Sequence, residues 1–403
     1  MYDVVIVGAG ISGLCCARFL AQEGFDVLVL EKSKRIGGSI NENIQGFPFF
    51  EVSRVNIEVP KDNPVRNATL TTSKETSFEL NFEKPICYLV IRGSGDSFDS
   101  RLADQAMDVG VEIELDSETV GINSSKKGLV SIRTKNGKAV KGRYFVGADG
   151  VLSATRRMVG LSPLEIKGIS YGMKMENVEV DPLSIHGIFN SKVAPKGYGY
   201  VIGYPDERSA TVAVSTRPKY ASKNIKEYFR LLLKLLKPIM KNAKDIQPFS
   251  GSVTCNDGRY RVVLKNMLFV GEAGGFQDPT FGFGMAPSIR SAAIASQVIS
   301  KSHEIGNLNM LQDYERSVKS RIFGKEIAWK WKFRRMILEK MNDQDVDAII
   351  SSFKGDEEAL GRVIDTGNWM LLRKSIFKAI RRRPSLLRHL LHLPLIFLPI
   401  KVS

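Results

Sequence analysis

Three glycines and one glutamate near the start of the chain have the spacing of a dinucleotide-binding turn. Gly8, Gly10 and Gly13 form G-x-G-x-x-G directly after an apolar run. In such a turn the first glycine permits a tight bend, the second lets a pyrophosphate approach the backbone, and the third lets helix and strand pack closely. Glu31 follows at the end of a second apolar run, where a carboxylate can accept hydrogen bonds from a ribose. The pattern predicts dinucleotide binding, and a glycine-rich structural turn is the alternative.

The elements that must position these residues surround them. The β-branched run 4–7 predicts a strand buried on both faces, 27–30 predicts a second strand, and the helix between them directs its free N–H groups at phosphates. Two later runs also read as strands, one ending in Gly-Ala-Asp149-Gly150 and one in Gly271-Glu272. A glycine-led helix, 286–300, follows the second. Such strand ends return to one crevice in a doubly wound sheet. The two later strand ends and the second glycine-led helix therefore favour FAD over NAD.

Three stretches resemble one family of flavoproteins. Residues 194–201, Ala-Pro-Lys-Gly-Tyr-Gly-Tyr-Val, are similar to its A-P-x-G-Y-x-W motif, and 271–285 to its G-D-A-A-x-x-x-D-P-x-x-G-G-G-I motif. Arg92 precedes a Phe-Asp-x-x-Leu segment at 98–102, as in that family. The chain thus resembles the geranylgeranyl reductase family, of the hydroxybenzoate-hydroxylase fold, from 1 to about 335. The resemblance implies an FAD-dependent reductase that saturates carbon–carbon double bonds of geranylgeranyl chains in membrane lipids by hydride transfer.

The chain also departs from the family pattern. Residues 40–46 contain no cysteine where archaeal members carry one, Glu272 replaces an aspartate, and Tyr200 stands for the tryptophan. The aromatic motif continues for two extra residues before Tyr204-Pro205. Two other functions therefore stay open: an oxygen-using flavin monooxygenase or halogenase, and a flavin- or lipid-binding paralogue without turnover.

The resemblance and the motifs together assign candidate site residues. Cofactor contacts are expected from Gly8, Gly10, Gly13, Glu31, Lys32, Gly38, Arg92, Val120, Glu272, Gly284 and Met285. Three tyrosines are candidates for the substrate pocket, with packing of the sheet as their alternative role: Tyr198, Tyr200 and Tyr204. No residue is assigned as the proton donor, and no metal site is expected. No second glycine fingerprint for NAD(P)H is evident, so the electron donor is expected to be NAD(P)H bound transiently or a ferredoxin-like protein.

Composition and charge limit the classes of partner that this protein is expected to bind. The 403 residues carry a formal net charge of +15, which attracts anionic surfaces. No interleaving of aromatics and arginines typical of RNA binding is present, so an anionic membrane is favoured over nucleic acid. Residues 371–403 contain lysines and arginines but no acidic residue, and the uncharged run 389–400 is too short to span a bilayer. We expect this end to lie on a membrane. A helix docked on the protein's own core and a dimer contact are the alternatives.

The expected fold class is α/β with an α+β second domain. A Rossmann-like FAD-binding domain is expected over 1–160 and again over 251–305, with an antiparallel-sheet substrate domain over 161–250 and a helical C-terminal region with a basic amphipathic tail over 306–403. Four cysteines without metal or disulfide spacing suit a reducing compartment. The chain opens on a core strand without a signal peptide, so the expected location is cytoplasmic and peripheral to the membrane.

Overall fold

The structure, a computed structural model, describes residues 1–93, 95–124, 129–256, 258–278, 282–322, 339–360 and 369–390. Its strands are β1 (Tyr2–Val7), β2 (Val27–Leu30), β3 (Asn43–Pro48), β4 (Pro64–Val65), β5 (Asn67–Thr72), β6 (Ser77–Asn81), β7 (Cys87–Arg92), β8 (Glu112–Glu114), β9 (Thr119–Ser124), β10 (Val130–Thr134), β11 (Ala139–Gly147), β12 (Ile166–Glu176), β13 (Ser184–Phe189), β14 (Tyr198–Gly203), β15 (Ser209–Thr216), β16 (Lys244–Thr254), β17 (Val263–Leu264) and β18 (Met267–Phe269). Its α-helices are α1 (Ile11–Gln22), α2 (Phe98–Met107), α3 (Ala154–Met158), α4 (Ile225–Leu235), α5 (Met285–Ile305), α6 (Gln312–Arg321), α7 (Asp343–Ser352), α8 (Arg373–Arg382) and α9 (Leu387–Leu390).

The first sheet holds the glycine turn. Its order is β17-β18-β11-β1-β2-β8, with β10 and β9 attached beside β11, and its central strands run parallel. Val4 and Ile6 of β1 belong to the core on the side of α1 and α5, whereas Val5 and Val7 belong to the core on the opposite face. Burial on both faces explains why β1 is continuously apolar. The Rossmann-like α/β fold expected from the sequence is confirmed.

The second sheet has seven strands in the order β16-β12-β15-β14-β13-β5-β6. All its pairs are antiparallel except β13 with β5, which run parallel. Strands β5 and β6 come from residues 67–81, and β16 extends beyond residue 250. The expected boundaries at 160/161 and 250/251 therefore do not describe membership of this sheet. A parallel partner can come from far away in sequence, so local alternation around 184–189 did not reveal it.

Helix α4 packs closely on one face of this sheet. A Cβ at Gly199 would lie 2.8 Å from Leu232 of α4, so the absent side chain makes room for the helix. Val201, Val212 and Val214 fill the rest of that contact. Since side chains alternate along a strand, Tyr198, Tyr200 and Ile202 point to the opposite face.

The turn after β11 is fixed by its own aspartate. Asp149 accepts hydrogen bonds from Ser153 Oγ at 2.7 Å, from Thr155 N at 2.8 Å and from Thr155 Oγ1 at 2.6 Å. These bonds hold the start of α3 against the end of the strand.

The C-terminal helices form a cap on the edge of the second sheet. Asp347 of α7 accepts hydrogen bonds from Thr72 Oγ1 at 2.8 Å and Lys74 Nζ at 2.7 Å, in the β5–β6 hairpin. Asp345, which is fully buried, forms an ion pair with Arg383 beyond α8 and so ties α7 to α8. Among the described residues, every helix is too short or too polar to cross a bilayer. Residues 391–403, which include ten of the twelve residues of the uncharged run 389–400, lie outside the described residues.

Candidate functional site

The glycine turn leaves space at one of its three glycines. A Cβ at Gly8 would lie 2.4 Å from the carbonyl oxygen of Ala148, and one at Gly13 would lie 1.9 Å from that of Gly8. Gly8 also has φ +109°, a conformation that side chains disfavour. A Cβ at Gly10 would meet nothing within 4 Å, and Gly10 lines a large cavity. The protein's own packing therefore requires glycine at positions 8 and 13. Glycine at position 10 is required only if a ligand in the cavity lies against the backbone there.

Two charge features beside Gly10 suit an anionic ligand with a ribose. Helix α1 begins at the cavity without a side-chain cap, so its N-terminal N–H groups and positive dipole end remain available. Buried Glu31 accepts hydrogen bonds from Ala9 N at 2.8 Å and Ser33 N at 2.9 Å. A carboxylate has about four acceptor sites, so two backbone donors leave capacity for hydroxyl groups. These residues fit the diphosphate and ribose of a dinucleotide.

Three of the expected cofactor contacts lie at the edge of this region. Lys32 is exposed and lines the cavity. Gly38 and Val120 do not line it, and the Val120 side chain is 41% exposed, but their neighbours Ser39 and Thr119 do. Gly38 and Val120 therefore lie next to the cavity wall without forming part of it. Any role for these two residues stays a prediction.

Arg92 lies further along the cavity and is held by a carboxylate. Its Nε and Nη2 donate to the two oxygens of buried Asp99, each at 2.7 Å, and its Nη1 donates to Gln45 Oε1 at 3.4 Å. Burial lowers the pKa of Arg92, but Asp99 outweighs this effect, with help from Glu272, and the net pKa is raised. The guanidinium is thus a fixed positive charge in the cavity wall, held there by its salt bridge to Asp99.

Glu272, Gly284 and Met285 converge opposite Arg92. Glu272 Oε1 accepts a hydrogen bond from Gln277 Nε2 at 2.7 Å, and a Cβ at Gly284 would lie 3.3 Å from the same oxygen. Gly284 precedes α5, whose N-terminus has no side-chain cap, and all three residues line the cavity. Burial raises the pKa of Glu272, and Arg92 opposes only part of that shift. The structure therefore supplies a second helix N-terminus where polar cofactor atoms could bind.

Two of the three candidate tyrosines face the cavity. The rings of Tyr198 and Tyr200 have centroids 6.0 Å apart on the same face of β14, and both line the cavity. Burial, together with Tyr198, raises the pKa of the Tyr200 hydroxyl. Tyr204 does not line the cavity, because the chain turns after Gly203 and buries the ring to 2% exposure beneath Lys174, whose Nζ lies 5.0 Å from the ring centroid. For Tyr204 the packing alternative describes the structure.

The cavity is continuous from the nucleotide turn to the C-terminal cap. Its volume is about 2050 Å³. Pockets for a single small ligand usually measure about 300–1,000 Å³, so there is room for a dinucleotide and a second molecule. Beyond Arg92 the lining becomes mostly apolar and includes residues that were not selected from the sequence: Ala68, Leu70, Leu80, Ile185, Ile202, Val346, Ile349, Ile350, Phe353 and Ile376. The helical spacing of 346, 349, 350 and 353 was a readable signal for an apolar face.

The segment without the family cysteine also reaches the cavity. Asn43 and Gln45 line it, and Gln45 Nε2 donates to Asn43 Oδ1 at 2.8 Å. Cys87 lines it too, with Sγ 3.0 Å from the position of a Cβ at Gly46. Burial raises the pKa of Cys87 to about 12, so its thiol is protonated at neutral pH. Within the described residues no group of three or more histidine, cysteine or acidic side chains could hold a metal ion.

Comparison with known proteins gives the family. Residues 6–56 match the NAD(P)-binding Rossmann-like domain model, and residues 64–322 match the FAD binding domain model. The chain is 28% identical to digeranylgeranylglycerophospholipid reductase from Methanocaldococcus jannaschii, over 96% of this chain and 97% of the relative. It is 27% identical to the protein of that name from Thermoplasma acidophilum, over 87% and 90% of the two chains.

Solved structures agree with this fold. A geranylgeranyl bacteriochlorophyll reductase-like protein from Thermoplasma acidophilum superimposes with a TM-score of 0.81 at 26% identity, covering 97% of this chain and 99% of that one. A flavin-dependent brominase superimposes with a TM-score of 0.64 at 17% identity, a likeness of fold alone. FAD is therefore the cofactor, and the uncapped helix ends and the open space at Gly10 fit it. The chain belongs to the FAD binding domain family and, within it, to the geranylgeranyl reductase family of FAD-dependent oxidoreductases.

Proposed function

We propose that this protein saturates carbon–carbon double bonds in the geranylgeranyl chains of membrane lipids. The observation that carries the proposal is the single cavity that joins the nucleotide turn at Gly10 to the apolar floor at Tyr200. The names of the relatives support the same substrate class. FAD, when bound and reduced, supplies hydride, and the chain must bind, orient and protonate the alkene.

Cofactor binding is assigned to the polar half of the cavity. We infer that the α1 N-terminus behind Gly10 holds the diphosphate and that Glu31 holds the ribose. Arg92 and the α5 N-terminus at Gly284 lie further along, where they would hold the flavin half of the molecule. Because Asp99 fixes the Arg92 guanidinium with two hydrogen bonds, that charge needs little reorganisation when a cofactor binds.

Substrate binding is assigned to the apolar half. Side chains from β5, β13 and β14 form one floor, with Ala68 opposite Ile185 and Ile185 opposite Ile202 in the register. Gly187, which lies opposite Tyr200, adds no side chain and makes room for Leu70, since a Cβ there would lie 3.2 Å from that side chain. Each buried methylene of a prenyl chain contributes about 0.8 kcal/mol, so even partial burial of a polyprenyl tail gives strong binding. The same lining excludes water from the alkene.

We assign the proton to Tyr200 Oη. Its ring lies on the floor of the apolar half, beside the ring of Tyr198. An isoprenoid alkene has no carbonyl to polarise, so the Tyr200 hydroxyl would give its proton to one alkene carbon while the other carbon accepts the hydride. The electrons are proposed to come from NAD(P)H or a ferredoxin-like protein, and the enzyme is proposed to work at the membrane where its substrate resides.

The test is anaerobic turnover of a geranylgeranyl glycerophospholipid by the holoenzyme with a chemical reductant. Mass spectrometry of the lipid should show gains in steps of two hydrogens. Tyr200→Phe should lower turnover at least about tenfold, within the range of general acid catalysis, while FAD binding stays unchanged. Tyr204→Phe is the matched control, because that ring lies outside the cavity.

Two results would contradict the proposal. A lipid that keeps every double bond with all reductants would indicate a binding protein without turnover. Oxygen consumption with a hydroxylated or halogenated product would instead favour the monooxygenase or halogenase alternative.

A further inference from the structure

The outer face of helix α8 combines exposed cations with an exposed aromatic ring. Phe377, in the middle of the helix, is 64% exposed. Arg373 and Arg381 lie one turn on either side of it, and Lys374 and Lys378 are its neighbours on the same face, all four of them exposed. Leu387, at the start of α9, is a second apolar residue with 49% exposure. A large apolar side chain within a cluster of cations is the composition of a helix that lies in a membrane interface.

The inner face of the same helix is fully used by the protein. Ser375 and Ala379 are buried, and Ile376 and Ala379 line the apolar half of the cavity. Of the four outer cations, Lys378 donates a hydrogen bond to the Lys354 carbonyl oxygen at 3.3 Å, which leaves its charge without an anionic partner. Arg373, Lys374 and Arg381 form no ion pair or hydrogen bond within the described part of the chain, whereas Arg383 is committed to Asp345. No anionic group among the described residues neutralises the positive charge on the outer face, so an anionic partner outside the protein can do so.

From these observations we propose that the outer face of α8 is a docking surface for anionic phospholipid bilayers. The cations bind lipid phosphates, each contributing favourably near a negatively charged surface, and Phe377 inserts beneath them. An acidic protein would match the cations as well. A bilayer additionally provides an apolar layer for Phe377, and it is the place where a prenyl lipid is held.

Docking in this way has a consequence for the substrate, which rests on the proposed function. Within the described residues, α8 carries the exposed cations on one face and the cavity-lining residues Ile376 and Ala379 on the other. A bilayer bound to Phe377 would therefore lie one helix diameter, about 10 Å, from the apolar half of the cavity. A prenyl chain could then pass from the acyl layer into the cavity with a short path through water.

Sedimentation of the FAD-loaded protein with vesicles tests the docking surface directly. Vesicles of phosphatidylcholine with phosphatidylglycerol should bind it, and pure phosphatidylcholine vesicles should not. The pair Arg373→Ala and Arg381→Ala should weaken binding about 30-fold, because each cation near such a surface is worth about fivefold. Phe377→Ala should weaken it roughly tenfold, the cost of an aromatic ring that no longer enters the apolar layer.

Matched variants elsewhere serve as controls. Met107→Ala removes a side chain that is 49% exposed on α2, and the pair Lys141→Ala and Lys301→Ala removes two exposed cations that form no ion pair within the described residues. Both should bind anionic vesicles like the wild type. Equal losses of vesicle binding in the control and α8 variants would show that only net charge matters, and would overturn the proposal. Absence of binding to anionic vesicles would overturn it too, and capture by a small acidic redox protein alone would make α8 a protein-docking face instead.

A second measurement separates this inference from the proposed function. Turnover of a prenyl lipid dispersed in detergent should be unchanged in Phe377→Ala, while turnover of the same lipid in anionic vesicles should fall with binding. If vesicles bind but neither form of the lipid is reduced, the proposed function fails and the docking surface stands. If both forms are reduced equally well by Phe377→Ala, the docking surface fails and the proposed function stands.

Discussion

Replacing Gly10 with alanine should abolish tight FAD binding and leave the apo-protein as stable as the wild type. Gly10 has φ −83° and ψ 179°, a conformation that alanine adopts without strain. The new Cβ would meet no atom within 4 Å. Its methyl group would fill only the space between the cavity and the uncapped start of α1, which is the space we assign to the cofactor diphosphate.

The size of the effect follows from the bonds that the methyl group would block. Hydrogen bonds from backbone N–H groups to a charged phosphate are worth about 1.5–3 kcal/mol each. Losing two of them raises the dissociation constant of FAD roughly 10²- to 10⁴-fold. In the apo-protein, a poorer N-cap costs about 0.5–1 kcal/mol, and the stiffer unfolded chain offsets a similar amount. The net change in unfolding free energy should therefore stay below about 1 kcal/mol.

Titration of apo-protein with FAD, followed by flavin fluorescence, measures the first quantity, and urea unfolding measures the second. Gly13→Ala is the contrasting variant. Its Cβ would lie 1.9 Å from the carbonyl oxygen of Gly8, so it should lose stability with and without FAD. Wild-type FAD affinity in Gly10→Ala would refute the assignment of the diphosphate to this turn. A destabilised Gly10→Ala apo-protein would refute the claim that the space beside it is reserved for a ligand.

Three further variants test the supporting structure. Glu31→Ala should lower the unfolding free energy by roughly 2–4 kcal/mol in urea titrations, since two backbone N–H groups lose their acceptor, and Glu31→Gln should lose less. Gly197→Ala should lower the melting temperature, because its Cβ would lie 1.9 Å from the Ser215 carbonyl oxygen, and overpacking costs about 1–3 kcal/mol. An unchanged melting temperature would contradict that contact. Burial alone would raise the pKa of Asp345, but hydrogen bonds from Arg383 and the Asn342 backbone outweigh it and lower the pKa. Its contribution is thus complete above the ordinary aspartate pKa of about 3.9 and lost as the pH falls below it, so limited proteolysis should cut α7 and α8 faster at acid pH. At neutral pH, the protease should cut Asp345→Asn as fast as it cuts the wild type at acid pH.

The nucleotide half of the site was largely readable from the sequence. The spacing of Gly8, Gly10, Gly13 and Glu31 depends on one strand, one turn and one helix, and such local geometry is written in neighbouring residues. The same holds for the turn at Asp149, whose partners lie within six residues of it. Where a contact joins adjacent elements, residue type and spacing were enough to predict it.

The substrate half was not readable in the same way. Tyr198, Tyr200 and Tyr204 are separated by even numbers of residues, which would place them on one face of a single strand. The chain turns after Gly203, however, so two tyrosines face the cavity and the third is buried under Lys174. No local pattern indicated that residues 67–81 would extend the second sheet, since the parallel pairing of β5 with β13 joins segments more than 100 residues apart.

The sequence by itself determined that this chain has an FAD-binding turn, a Rossmann-like sheet and a basic C-terminal region, because strand burial, glycine spacing and charge are properties of short segments. Tertiary structure decided that the turn, the tyrosines and the C-terminal helices line one cavity, and that α8 presents its cations outward while Ile376 points inward. Those facts depend on packing between distant segments, where the favourable burial of apolar surface is shared among elements and no single segment specifies its partner.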